Sequence, residues 1–185
     1  MFTDRRTVLA DAAIDVLAEH GMRGLTHRAV DRSANLPPGT TSAYYRTRQA
    51  LLTALVQRLV VLDQEELEEA GRRARAPRTA AELVAGITAF TERRLTGSGR
   101  HRSLARYACA IESVHHPELR EILTPRDNTA RESVRAFLAA QGLSDADERT
   151  VTLLTCVDGL VFDRLINGGP VTEKEITTLV TAALR

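Results

Sequence analysis

The sequence predicts an all-α protein: an N-terminal three-helix module followed by a larger helical bundle, about nine helices in all. Three observations predict it. Apolar residues recur at helical spacing in segment after segment, whereas strand punctuation does not recur. Helix-opening signatures of the Ser/Thr-x-x-acid kind stand at Thr79-x-x-Glu82, Ser144-x-x-Asp147 and Thr172-x-x-Glu175. Between Thr26 and Tyr45 lie two very short helical stretches around a tight turn. With 43% hydrophobic residues in 185, there is enough apolar material for a real core.

The elements follow in order. A first helix is expected from about Thr3 to His20, where Val8, Leu9, Ala12, Ala13, Val16 and Leu17 form one stripe and Gly21 closes it. Thr26 is a good N-cap for a helix through Ala29, Val30, Ser33 and Ala34. Asn35 tolerates the left-handed conformation that ends a helix, and Leu36 plugs the turn. Pro37 and Pro38 are expected to open the next helix, which is small and polar, from Gly39 to Tyr45. A long fourth helix begins near Arg48 with Leu51, Leu52, Leu55, Val56, Leu59 and Leu62 on one side. In its distal half Glu65, Glu68 and Glu69 face Arg72 and Arg73 as i,i+4 pairs, and Pro77 ends it. A fifth helix opens at Thr79 and breaks at Gly97-Ser98-Gly99, and a sixth ends at His115-His116-Pro117. A seventh reaches Gln141-Gly142. Its Thr124-Pro125-Arg126-Asp127 is either a fresh start or a proline kink, and the kink is preferred. Ser144 opens an eighth helix and Thr172 a ninth.

Helix, turn, short polar helix is the layout of a DNA-reading helix-turn-helix. The charge agrees. Residues 32–62 contain no Asp or Glu, in a chain with 24 acidic and 25 basic residues, while Arg32, Arg46, Arg48 and Arg58 fall in that window. A surface that approaches phosphate is free of carboxylates because like charges repel. A solvated hairpin that happens to lack acids is the plainer alternative. Reading helices present their N-terminal part to base edges. Here that part is Pro38, Gly39, Thr40, Thr41, Ser42 and Ala43, whose hydroxyls and methyls suit base contact. Arg28 is the candidate for a bidentate guanine contact. Tyr45, Leu36 and Val30 read as the small core that fixes the two helices.

Ala12, Ala13, Glu19, His20, Gly21, Leu25, Thr26, Leu36, Gly39, Thr40, Tyr45, Arg48, Ala50, Leu51 and Leu52 match, in order and spacing, the DNA-binding domain of TetR-family transcriptional repressors. The N-terminal third of the chain resembles that family closely. The remainder resembles it in length, helical character and a late Asp158-Gly159-Leu160. The chain departs from the pattern at Pro37 and at Thr41, Ser42 and Ala43. The resemblance implies a DNA-binding domain at residues 1–47 and a ligand-binding and dimerisation domain at 48–185. It implies phosphate contacts by Tyr44 and Arg48, with His27 near backbone or base. It further implies a homodimer on a palindromic double-stranded operator, released by a small effector that shifts the long fourth helix.

The eighth helix is apolar almost all round: Val151, Leu153, Leu154, Cys156, Val157, Leu160, Val161, Phe162, Leu165 and Ile166. Such a helix is buried on all sides, either as a central core helix or with its second side against another subunit. Leu153, Val157 and Leu160 are the expected dimer residues, and the resemblance favours pairing through about 145–167 and 172–184. Phe90, Tyr107, Ile111, Ile122, Asp158 and Phe162 are the expected effector-pocket residues; ordinary core is the equal alternative for each. Asp158 either meets a ligand or pairs with an arginine of the fold. A largely hydrophobic effector with one cationic or hydroxyl group suits that carboxylate.

Other classes find little support. Net charge is +1, so nucleic-acid contact must be local. Lys174 is the only lysine. Cys109 and Cys156 form no paired motif, which suits a reducing compartment, and no run of 18 apolar residues predicts a membrane span. The expected location is the cytoplasm. No cofactor and no metal is called for. Adjacent His115 and His116 point to different faces of a helix, with only Glu112 near. Gly97-Ser98-Gly99 lacks the strand a phosphate loop needs. A helical enzyme, or a protein-interaction bundle without DNA binding, are the rival readings.

Overall fold

The computed structural model describes residues 4–73, 76–123 and 129–185, and the side chains of all of these but 70–73 and 129–130. Ten helices make up the described residues, with no strand: α1 (Arg5–Gly24), α2 (His27–Ser33), α3 (Thr40–Tyr44), α4 (Arg48–Arg73), α5 (Ala80–Leu95), α6 (Gly97–Glu112), α7 (Pro117–Leu123), α8 (Thr129–Ala140), α9 (Ala146–Asn167) and α10 (Glu173–Ala183). The expected kink at Thr124–Asp127, and the side chains of Arg72 and Arg73 that Glu65, Glu68 and Glu69 are expected to face, lie outside the described residues. The chain forms two compact units, residues 1–63 with 101–125 and residues 64–100 with 126–185. Packing therefore does not part at residue 47, the boundary expected from function. The start of α4, most of α6 and α7 share a unit with α1–α3.

In the first unit, α1 buries Leu9, Ala13, Val16 and Leu17 against Leu25, Val30, Leu51, Leu55 and Leu59, with Ala105, Cys109, Leu119 and Leu123 from α6 and α7 completing the core. Gly21 sits at φ +66°, so regular α1 geometry stops at His20, as its glycine predicts. Polar ties bind the periphery. Arg58 reaches Asp11 at 2.7 Å, Arg106 reaches Asp63 at 2.6 Å and the Leu123 carbonyl at 3.0 Å, and Gln49 donates to Glu118 at 2.7 Å. Each link joins elements distant in sequence, which apolar packing alone leaves free to slide.

In the second unit α5 packs on α9 and α10, and α8 on α9. Its core holds Leu83, Val84, Ile87, Phe137, Leu138, Leu153, Val157, Ile176 and Val180. Thr79 caps α5, and Thr172 with Glu175 makes the reciprocal capping box of α10, both as the sequence predicts. Ser144 does not cap α9; Asp145 occupies that position and bonds Arg149 at 2.7 Å instead. Of the two readings of α9, the central core helix is corrected: within its own chain α9 is covered on one side only. Ala146, Thr150, Leu153, Val157, Val161 and Leu165 are buried, whereas Val151, Phe162 and Ile166 on the opposite side are exposed. A three- or four-residue stride keeps only one side in contact with α5, α8 and α10.

Ile176 is fully buried at the meeting of α10 with the rest of its unit. Ile176→Ala is expected to destabilise the protein by about 2–5 kcal/mol, read as a lower urea midpoint at unchanged slope, because the lost packing leaves a cavity.

Candidate nucleic-acid interface

The helix-turn-helix is assembled from local signals first. Thr26 Oγ1 accepts the Ala29 amide at 3.2 Å and starts α2. α2 ends in a complete left-handed cap. Asn35 has φ +52°, its amide bonds the Arg32 carbonyl at 3.1 Å, and the Leu36 amide bonds the Asp31 carbonyl at 2.9 Å. Leu36 then packs on the core beneath. The turn differs from expectation in one respect. Pro37 and Pro38 do not begin α3. They form a turn in which the Thr40 amide and hydroxyl both bond the Pro37 carbonyl, at 3.2 and 2.7 Å, and the helix starts only after Gly39 at φ +91°.

Gly39 has no side chain to cap α3, and a carboxylate from the preceding helix takes that role. Asp31 is 2% exposed. It accepts the Gly39 amide at 2.8 Å, the Thr41 amide at 2.7 Å and the Thr41 hydroxyl at 2.6 Å. These are amides that a short helix otherwise leaves unpaired. Burial by itself would raise the Asp31 pKa. The bonds from Thr41 and Gly39, helped by nearby His27, outweigh it and hold the carboxyl below its ordinary value. Sequence reading missed Asp31, although its place just before the acid-free window was a usable signal. It also placed Thr41 among the base readers; the structure buries Thr41 completely against Asp31 and removes it from the surface.

The other reader candidates divide. Pro38, Gly39, Ser42, Ala43 and Arg28 are exposed, and Thr40 is half-buried. His27 is half-buried and bonds the Tyr45 carbonyl through Nε2 at 2.7 Å, closing the end of α3 onto the start of α2. Arg48 is turned to main-chain carbonyls: it donates to Leu25 and, at 2.6 Å, to Met22. It therefore ties the start of α4 to the loop before α2. Tyr44 is exposed, whereas Tyr45 is buried and donates its hydroxyl to the Arg6 carbonyl at 3.2 Å.

The expected pocket residues are split between the two compact units: Tyr107, Ile111 and Ile122 in one, Phe90, Asp158 and Phe162 in the other. Phe90, Tyr107 and Ile122 are half-buried, and the Phe90 ring carries Arg94 over its face at 5.6 Å. Ile111 is 67% and Phe162 41% exposed, and Asp158 is exposed, so these three do not line an interior. The dimer expectation changes likewise. Leu153 and Val157 are buried inside their own unit and Leu160 is half-buried, so their cover comes from the same chain. Cys109 is a core residue whose thiol burial and Glu112 push up to about 12, against the pull of Arg106. His116 lies between Glu112 at 3.5 Å and Glu118 at 3.3 Å, and no group of three metal-binding side chains is assembled among the described residues. No helix among them is long and apolar enough to cross a membrane.

A family model described as the tetracyclin repressor-like C-terminal domain matches residues 78–185, more than half of the chain. The protein belongs to the TetR family of transcriptional regulators, with its helix-turn-helix in the N-terminal module. Among curated relatives, the HTH-type transcriptional regulator BetI of Burkholderia cenocepacia is 26% identical over 173 residues, covering 90% of this chain and 85% of that one. The fold is shared with a transcriptional regulator from Rhodococcus, at TM-score 0.76 and 23% identity over 98% of this chain and 94% of that one. It is shared too with the multidrug binding protein EbrR complexed with ethidium, at TM-score 0.70 and 24% identity over 98% and 99%.

Asp31→Asn supplies a test of the carboxylate. An amide accepts fewer of the three donors, so a loss of about 1.5–3 kcal/mol near neutral pH is expected. Because the Asp31 pKa is lowered in the folded state, its contribution is full above the unfolded value near 4. It is lost as pH falls through the folded value. Chemical denaturation from pH 7 downward should show wild type and variant converging below about pH 4.

Proposed function

We propose that this protein is a ligand-responsive repressor that binds a palindromic operator as a homodimer and leaves it when a small, largely hydrophobic effector binds. The observation that carries DNA binding is the surface of the helix-turn-helix. Pro38, Gly39, Ser42 and Ala43 face outward in the acid-free window of residues 32–62, Arg28 on α2 is exposed as well, and the one acid between Arg28 and Ala43, Asp31, is buried. Thr40 sits partly open at its edge. A small-residue helix enters a major groove without steric conflict, and a guanidinium at its border reads guanine through two donors. Family membership supports the same reading.

The homodimer is supported by the exposed strip Val151, Thr155, Gly159, Phe162 and Ile166 along α9, which places apolar groups and a glycine on one side of a helix. This strip replaces Leu153, Val157 and Leu160 as the proposed contact. Two-fold pairing presents two identical reading heads, which is why the operator is expected to be palindromic. An effector acts by favouring a dimer whose heads no longer match grooves about 34–36 Å apart. Half-buried Tyr107 and Ile122, both within the first unit, remain the proposed apolar contacts. That EbrR is found with ethidium makes an aromatic cation a reasonable first probe.

The DNA flanking the protein's own gene is the substrate for a shift assay with and without ethidium. Retardation, and release at ethidium concentrations that also raise Tm, are expected. Stabilisation that leaves DNA affinity untouched across a panel of effectors would remove the switch and keep the repressor. Arg28→Ala is expected to cost about 1–3 kcal/mol per half-site and to relax preference at one base pair, read by selection from a randomised operator. Phe162→Asp is expected to convert the dimer into a particle of the 20.3 kDa chain mass by light scattering. A wild-type protein that already scatters at that mass would remove the homodimer.

A further inference from the structure

A cation outside the reading candidates lies against the end of α3. Arg6, in the first turn of α1, holds its guanidinium over the ring of Tyr44 at 5.6 Å and over that of Tyr45 at 5.8 Å. Its own main-chain carbonyl accepts the Tyr45 hydroxyl. Side chain and backbone of one residue thus both grip the last turn of the reading helix. A guanidinium over aromatic faces is attracted by the ring quadrupole; one Arg6 donor is also felt as a hydrogen bond at the Tyr45 hydroxyl, and a fork of five N–H donors has others to offer. Arg6 and Tyr44 are both exposed. Asp4 is the acid close enough to be felt at Tyr45, and none follows on α2–α3 beyond buried Asp31.

We propose that Arg6 and Tyr44 form one phosphate-gripping unit at the border of the reading head. Arg6 supplies charge and donors, Tyr44 its hydroxyl, and the first turn of α1 docks on the DNA backbone beside the groove that α3 enters. Arg6 has a second effect as a positioning residue: its contact with both rings fixes the direction in which Tyr44 projects. The geometry also explains how a phosphate grip persists when Arg48 is committed to the Met22 and Leu25 carbonyls. This inference rests on the DNA-binding reading above.

The test uses the full-length protein and the variants Arg6→Gln, Arg6→Lys, Tyr44→Phe and the Arg6→Gln/Tyr44→Phe pair. Binding to two unrelated mixed-sequence duplexes of about three helical turns is followed by fluorescence anisotropy over a sodium chloride series. Arg6→Gln is expected to weaken both duplexes equally and to lower the slope of log K against log salt by about one per protomer. Arg6→Lys is expected to keep the slope and lose affinity, because an ammonium lacks the planar fork. The double variant should lose less than the sum of the single losses, as expected for two groups on one phosphate. A wild-type slope in Arg6→Gln, accompanied by a lower Tm, makes Arg6 a structural clamp only and overturns the proposal. If Arg6→Gln loses its helical circular dichroism, Arg6→Lys decides: unchanged affinity overturns the proposal, lower affinity at unchanged slope and Tm upholds it. A wild-type protein that binds neither duplex at any salt removes the DNA-binding reading and this inference together.

Discussion

The Asp31 carboxylate stands where two helices, their turn and the exposed face of the second helix meet, and the N-terminal module is organised around it. α3 has five residues, too few to sustain a helix through its own hydrogen bonds. It therefore exists only as far as outside groups hold it. Asp31 holds its start through Gly39 and Thr41, His27 holds its end through the Tyr45 carbonyl, and Tyr45 is itself bonded to Arg6 on α1. Rigid presentation of Ser42 and Ala43 is a consequence of these pins and owes little to helix propensity. The cost of burying a carboxylate is offset because three donors converge on it.

The arginines show how little residue type says about role in this chain. Arg48, Arg58 and Arg106 all spend guanidinium donors inside the first unit, on carbonyls or on Asp11 and Asp63. Arg28, Arg32 and Arg46 are exposed, and so is Arg48. The difference lies in geometry: a guanidinium within reach of two main-chain oxygens is a clamp, and one without such neighbours is available to a partner. Arg164 and Arg149 act similarly in the second unit, joining α9 to Glu175 and to the Ala183 carbonyl on the α10 side. In a chain with a single lysine, arginine carries nearly all of both tasks.

The same logic separates the two sides of α9. Leu153, Val157 and Val161 are core because α5, α8 and α10 surround them. Val151, Phe162 and Ile166 are chemically equivalent and remain open. An apolar circumference shows that a helix needs cover on more than one side; it does not say which side its own chain provides.

What the sequence determined by itself was whatever is encoded within a few residues. Gly21, Asn35, Thr26, Thr79 and the Thr172–Glu175 box end or start helices through bonds to near neighbours, so their positions were legible. The order and spacing of the helix-turn-helix residues were legible for the same reason. Only the tertiary structure decided which groups of similar chemistry face inward. Asp31 and Thr41 are ten positions apart and meet across a turn; Arg48 and Met22 are further apart still. Arg6 finds Tyr44 because α1 packs on α2 and its first turn meets the end of α3, a contact that no local pattern announces. Periodicity places a residue on a face of a helix, but burial depends on what the rest of the chain packs against that face.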